Sequence, residues 1–184
     1  MSVGVELVNR TGWTTEESEL IAEWGRRATA AQHAHYLLAT RLRRRTLVLG
    51  LPVTIFSAVV GTSLFATLAD QKATVPTPLR VIIGSISLLA AVLSAIQTFL
   101  RFAERSAQHA QAADWYSAIR REAEELLALP PDKRGDPRKA LDALRKELNK
   151  AGQTYPEIGD KLWHRVSATY GVKEPGFANE IGAS

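Results

Sequence analysis

The side chains best equipped for chemistry are four histidines, at 33, 35, 109 and 164, and three acids, at 122, 124 and 125. His33 and His35 are two apart, so on a helix they face nearly opposite ways and do not make a metal site together. Histidines at a helix interface are the commoner arrangement. Glu122, Glu124 and Glu125 share their stretch with Arg120 and Arg121, the pattern of a solvated charged face. There is no cysteine, which excludes disulfides, thiolate metal sites and cysteine nucleophiles. No Gly-rich phosphate loop and no nucleophile elbow occurs. Trp13, Trp24, Trp115 and Trp163 read as packing residues rather than a ligand box. The expectation is a protein that is not an enzyme and carries no cofactor and no metal.

The residues with the most telling spacing are small and polar. Gly84, Ser87, Ala91, Ser94, Thr98 and Arg101 follow a 3-4-3-4-3 pattern, one side of a helix. Gly50, Thr54, Ser57 and Gly61 repeat it at 4-3-4. Both sets lie in apolar surroundings, where lipid-facing surfaces rarely need such residues. Protein-facing surfaces do, because small side chains let helices approach and hydroxyls can bond across. The two stripes therefore zip two helices together or pack neighbouring subunits. The other reading is that the stripe from 84 to 101 lines a water-filled path, with Gln97 and Arg101 at one end. Two helices enclose no pore, so that reading needs roughly four or more copies in a closed ring.

The elements that hold these stripes are two uncharged blocks. Residues 46–69 contain no charge, and a helix over them is about 36 Å long at 1.5 Å per residue. Residues 81–100 are also uncharged and are bounded by Arg80 and Arg101. A bilayer core of about 30 Å needs about 20 residues. Two adjacent spans with arginine ends fit lipid better than a buried hairpin in a soluble protein, and the first begins too far in for a signal peptide. Between them, residues 70–80 hold Pro76 and Pro78 and read as an extracytoplasmic turn. Pro52 lies within the first block, which membrane helices tolerate with a kink.

Charge orients the hairpin. The net charge is +4 over 184 residues, but placement matters more than the sum. Arg26, Arg27, Arg41, Arg43, Arg44 and Arg45 precede the first block with no acid among residues 26–45. The turn has only Lys72 and Arg80 as basic residues. The positive-inside rule puts both termini in the cytoplasm of a bacterial inner membrane, with Arg41, Arg43, Arg44 and Arg45 at anionic headgroups. Orientation explains "RLRRR" better than nucleic acid does, so no nucleic-acid partner is expected.

The remaining chain is helical and polar. After a lead over 1–14, Thr14 with Glu17 forms a capping box. A helix over 15–45 follows, with Leu20, Trp24, Ala28, Ala31, His35, Leu38 and Leu42 on one face, and runs unbroken into the first span. The second span continues as a helix over 101–129, with Ala112, Tyr116, Ile119, Ala123 and Leu126 as its apolar stripe. The first helix is its expected partner. "DKRGDP" is a loop in which Asp136 caps a helix beginning at Pro137. A helical pair over 130–170, turning at Tyr155-Pro156, and a tail over 171–184 complete the chain.

A basic helix, a two-span hairpin, the exit "AERSAQHAQAADWYSAIRREAEELL" and a later "TYPEIGDKLW" together resemble the SLATT family. These are the two-transmembrane effectors associated with SMODS nucleotidyltransferases and SLOG domains in prokaryotic conflict systems. The similarity covers residues 20–170. It implies an antiphage effector that permeabilises the inner membrane and kills or arrests the infected cell (abortive infection). The implied trigger is a nucleotide signal or a sensor protein. Arg26, Arg27, Arg120 and Arg121 are the obvious anion donors if a nucleotide is sensed. The expected protein is thus an all-α membrane protein: a two-helix transmembrane hairpin with a cytoplasmic helical bundle, assembled as a homo-oligomeric pore. The competing expectation is a membrane anchor or scaffold whose cytoplasmic helices recruit a partner.

Overall fold

The computed structural model describes residues 12–69 and 76–172. Among them every regular element is helical: α1 Thr15–Ala69, α2 Thr77–Leu100, α3 Phe102–Ala128, a short 3-10 turn Pro131–Lys133, α4 Pro137–Thr154 and α5 Asp160–Thr169. The lead over 1–11, the turn residues 70–75 and the tail from 173 onward lie outside the described residues. The chain divides into two compact units. One contains α1 up to Leu37 and the chain from Gln108 onward; the other runs from Leu38 to Ala107.

In the first unit, α1 starts at the expected capping box. Thr14 Oγ1 accepts from the Glu17 N–H (3.1 Å) and Glu17 Oε2 accepts from the Thr14 N–H (2.9 Å), satisfying two orphan donors at once. The buried face of α1 differs from the expected one by a residue: Leu20 is 42% exposed, whereas Ile21 is fully buried. Ile21, Ala28 and His35 follow a seven-residue repeat against α3, and Leu20 lies about 100° off it. Ile21 and Ala28 join Ile119 and Ala123 of α3 and Leu144 and Ala151 of α4 in one apolar cluster. Gly25 sits opposite Ala123, where an added Cβ would come within 3.4 Å of the alanine Cβ. Small residues on both helices permit this close antiparallel approach. The buried Leu162 and Val166 belong to α5, and Tyr170 just beyond it reaches His33 of α1.

The loop before α4 does more than connect. Asp136 Oδ1 accepts from the Arg138 N–H (3.0 Å) with Pro137 opening the helix, as expected for a cap. Arg134 donates to the carbonyls of Leu129 (2.7 Å) and Leu127 (3.0 Å), at the end of α3, and to Ser18 Oγ (3.0 Å) on α1. Its guanidinium also lies over the Trp13 ring, 5.6 Å from the centroid. One cation therefore satisfies C-terminal carbonyls of α3 and ties them to the start of α1. Arg134→Ala is expected to lower stability by about 2 kcal/mol, read by chemical denaturation of the full chain. A loss below about 0.5 kcal/mol would mean that water replaces these bonds at no cost.

In the second unit, α1 packs antiparallel against α2 and the start of α3. Ala39 accepts from Ser106 Oγ (2.9 Å), Arg45 lies 5.8 Å from the Phe102 ring, and a Cβ at Gly50 would meet Gln97 Nε2 at 3.1 Å. Glycine at 50 is what lets the Gln97 amide lie against α1. The helix continues through Pro52, which leaves the Val48 carbonyl without its ladder donor.

Two expectations about α2 need correction. The turn expected over 70–80 is shorter at its C-terminal side, because α2 begins at Thr77 with Pro76 as its N-cap. A proline in the first helical turn lacks only a donor that would be unpaired anyway, so Pro78 starts a helix here. The exit helix expected to continue over 101–129 is instead separated from α2 at Arg101. That residue takes a left-handed conformation, φ 46° and ψ 39°, and α3 restarts with the Arg105 N–H donating to its carbonyl (3.1 Å). A left-handed non-glycine residue costs about 1 kcal/mol; here Arg101 pairs with Glu104.

Candidate functional site

The hairpin turns apolar surface outward. Helix α1 and the helical run from α2 onward are each long and apolar enough to cross a membrane, and their most apolar stretches are 0% and 6% buried. A core helix of a soluble protein would be mostly covered, so this surface has no protein cover among the described residues. Leu47, Leu51 and Ile55 on α1 and Leu88, Val92 and Phe99 on α2 are among the exposed side chains.

The small-residue stripe on α2 is also turned away from α1. Ile83, Ile86, Ala90, Leu93, Gln97 and Leu100 form the covered face of α2. Gly84, Ala91, Ser94, Thr98 and Arg101 are exposed, and Ser87 alone is half-covered. At about 100° per residue the stripe, each member one position after a covered residue, is centred about 100° from the covered face. The stripe as a whole therefore does not zip the hairpin; apolar packing and the Gly50–Gln97 contact do. In the first-span set, Gly50 and Gly61 are half-covered, whereas Thr54 and Ser57 are exposed. The hydroxyls of Thr54, Ser87 and Thr98 donate to the carbonyls of Gly50 (3.0 Å), Ile83 (2.9 Å) and Ser94 (3.0 Å) on their own helices. Arg41, Arg43, Arg44 and Arg45 are all exposed on α1, at the edge of the uncharged block.

The four arginines named as anion donors do not converge on one described cleft. Arg26 and Arg27 both engage Glu23, at 2.7 and 3.3 Å. Arg120 pairs with Glu124 at 2.7 Å. It lines a cleft of about 280 Å³ with Thr29, Gln32, His33, Tyr36 and Tyr170, which excludes Arg26, Arg27 and Arg121. His33 Nδ1 and the Tyr170 hydroxyl are 2.7 Å apart beside it.

The contact that sequence spacing left unassigned is between α1 and α3. His35 and His109, 74 positions apart, bring their Nδ1 atoms to 2.8 Å in the interior. The His35 ring stacks on Tyr116 at 5.6 Å and 16°. An Nδ1···Nδ1 hydrogen bond needs one donor and one acceptor, so at least the accepting ring is neutral. Burial, and then the neighbouring His109, lower the His35 pKa to about 4; burial alone lowers that of His109. His35 stood out only as one member of a helical stripe, and His109 only as one polar residue in an alanine run. Among the described residues, no group of three or more metal-ligand side chains assembles here or elsewhere.

His35 and Tyr116 also form part of a second cleft, of about 330 Å³, closed by Ala151 and Gly152 of α4, by Tyr155, Pro156, Glu157 and Ile158, and by Asp160 and Trp163 of α5. Most of the "YPEIGD" stretch thus lines a single concave surface.

No family model, no curated protein and no solved structure matches this chain.

Proposed function

We propose that this protein is a homo-oligomeric membrane effector of the SLATT kind, which permeabilises the bacterial inner membrane as an antiphage response. The observation carrying this reading is the surface of the hairpin. It exposes apolar side chains that call for lipid, and next to them a stripe of small and hydroxyl residues that lipid does not call for. Further copies of the chain satisfy both demands: each contributes its outer apolar face to the bilayer and its α2 stripe to a subunit contact or a central path. Both termini are cytoplasmic by the arginine distribution. The trigger, a nucleotide or a sensor protein, acts on the helical bundle, and α1 carries the change to the hairpin.

The competing reading is a two-span anchor for a scaffold. It is favoured by the hydroxyls of Thr54, Ser87 and Thr98, which are satisfied within their own helices and so tolerate lipid without any water path. One experiment separates the two. Replacing Ser87, Ser94 and Thr98 together with leucine fills the stripe and keeps the span apolar. Expression toxicity and dye leakage from vesicles are expected to vanish while membrane fractionation stays unchanged. Leakage of the variant at the wild-type level would remove the stripe from the path, and a wild type that reaches the membrane without leakage or toxicity would leave the anchor.

A further inference from the structure

We infer that the cleft formed around the Tyr155–Asp160 segment binds a small organic cation, an alkylammonium or a guanidinium. This inference is independent of how the hairpin functions, since every lining residue belongs to the helical unit.

The charges lining the cleft have one sign. Glu157 and Asp160 contribute carboxylates, and no lysine or arginine lines it. Helix α4 ends at Thr154, and its last turn, through Ala151 and Gly152, forms part of the wall. That is the negative end of a helix dipole, where cations are favoured. The opposite pole, at the start of α5, is offset by Asp160 in its own first turn.

Aromatic faces supply the second component. Tyr116, Tyr155 and Trp163 line the same space, and a cation over such rings gains roughly 0.5–2 kcal/mol. The wall already shows this chemistry on its other side. Lys150 Nζ lies 4.6 Å over the Trp115 ring, which meets Tyr155 edge-on at 6.0 Å.

The third component is His35, 2% exposed. Its Nδ1 is engaged by His109, and among the described residues no hydrogen bond is made by its Nε2. His35 lines the cleft, and with Nδ1 donating to His109 its Nε2 is an acceptor suited to a ligand N–H. An anion would meet two carboxylates, and a neutral apolar ligand would gain nothing from their charge. The volume, at the low end for ligand pockets, suits a small molecule.

The test is a calorimetric titration of the full chain in detergent with n-butylammonium and n-butylguanidinium chlorides, against potassium chloride and 1-butanol. Saturable binding of a cation, absent for the salt and the alcohol, is expected. Glu157→Gln with Asp160→Asn should weaken it at least about tenfold. Both side chains are exposed, and unchanged circular dichroism shows that this variant folds. Absence of saturable binding, an equal response to 1-butanol, or undiminished affinity in the double variant would each overturn the inference. Binding of Nα-acetyl-lysine amide with none of the free amines would assign the cleft to a protein side chain and overturn the free-ligand assignment.

Discussion

Acidification from neutral pH to about pH 4 is expected to remove about 3 kcal/mol of bundle stability through His35 alone. The sign follows from proton counts. An unfolded histidine titrates near 6.5, whereas burial and the adjacent His109 hold folded His35 at about 4. Above 6.5 neither state binds the proton and stability is at its full value. As pH falls from 6.5 to about 4, the unfolded chain gains a proton that the folded chain refuses, at about 1.4 kcal/mol per pH unit. His109 is shifted the same way by burial and adds to the loss. The measurement is chemical denaturation across this range for the wild type and for a His35→Phe/His109→Leu variant. The apolar pair removes the titration and both polar partners, so its profile should be flatter by the amount due to the histidines. Parallel profiles would refute the assignment. His109→Leu alone should do worse than the pair at neutral pH, because it strands His35 Nδ1 in the interior at a cost of roughly 1–3 kcal/mol.

Leu144→Ala is expected to cost about 3 kcal/mol. Leu144 is fully buried and is one of the few large side chains sealed in a core built mainly of alanines. Alanines permit close approach but contribute little apolar area each, so the bundle leans on Ile21, Ile119 and Leu144. The partly buried Leu141 and Leu148 flank Leu144 on α4, and neither reaches into a vacated site without moving its helix. Leu144→Met keeps the volume and should cost under about 1.5 kcal/mol. Thermal and urea unfolding would report both. A loss below about 1 kcal/mol for the alanine variant would mean that the core collapses around the cavity. Because α4 also walls the cation cleft, Leu144→Ala should weaken ligand binding as well as the fold.

Local signals made much of this protein readable from its residues. The capping box at Thr14 and Glu17, the cap at Asp136 with Pro137, the turn at Tyr155-Pro156 and the apolar stripe of α3 all follow from chemistry within a few positions. The two uncharged blocks are equally local: length and hydropathy alone make α1 and α2 long and apolar enough for a bilayer. Boundaries that depend on a finer balance are less local. Pro76 and Pro78 signal a turn but also open a helix, and nothing near Arg101 announces a left-handed residue, since arginine has no preference for one. Leu20 and Ile21 are both apolar neighbours, and only the position of α3 selects Ile21 for the interior.

Tertiary structure decided what no periodicity encodes. That His35 meets His109 rather than His33 or His164 depends on the register between α1 and α3, which sums packing over many alanines. The same register places Tyr116 beneath His35, and the docking of α4 and α5 then closes the cleft over both. The stripe from Gly84 to Arg101 was legible as a face, but a face has no address until its neighbours are placed. Gln97 against Gly50 turns Ala90 and Leu93 toward α1 and leaves most of the stripe outward. A residue's own helix sets its direction around the axis; which partner lies in that direction is fixed only when distant segments pack.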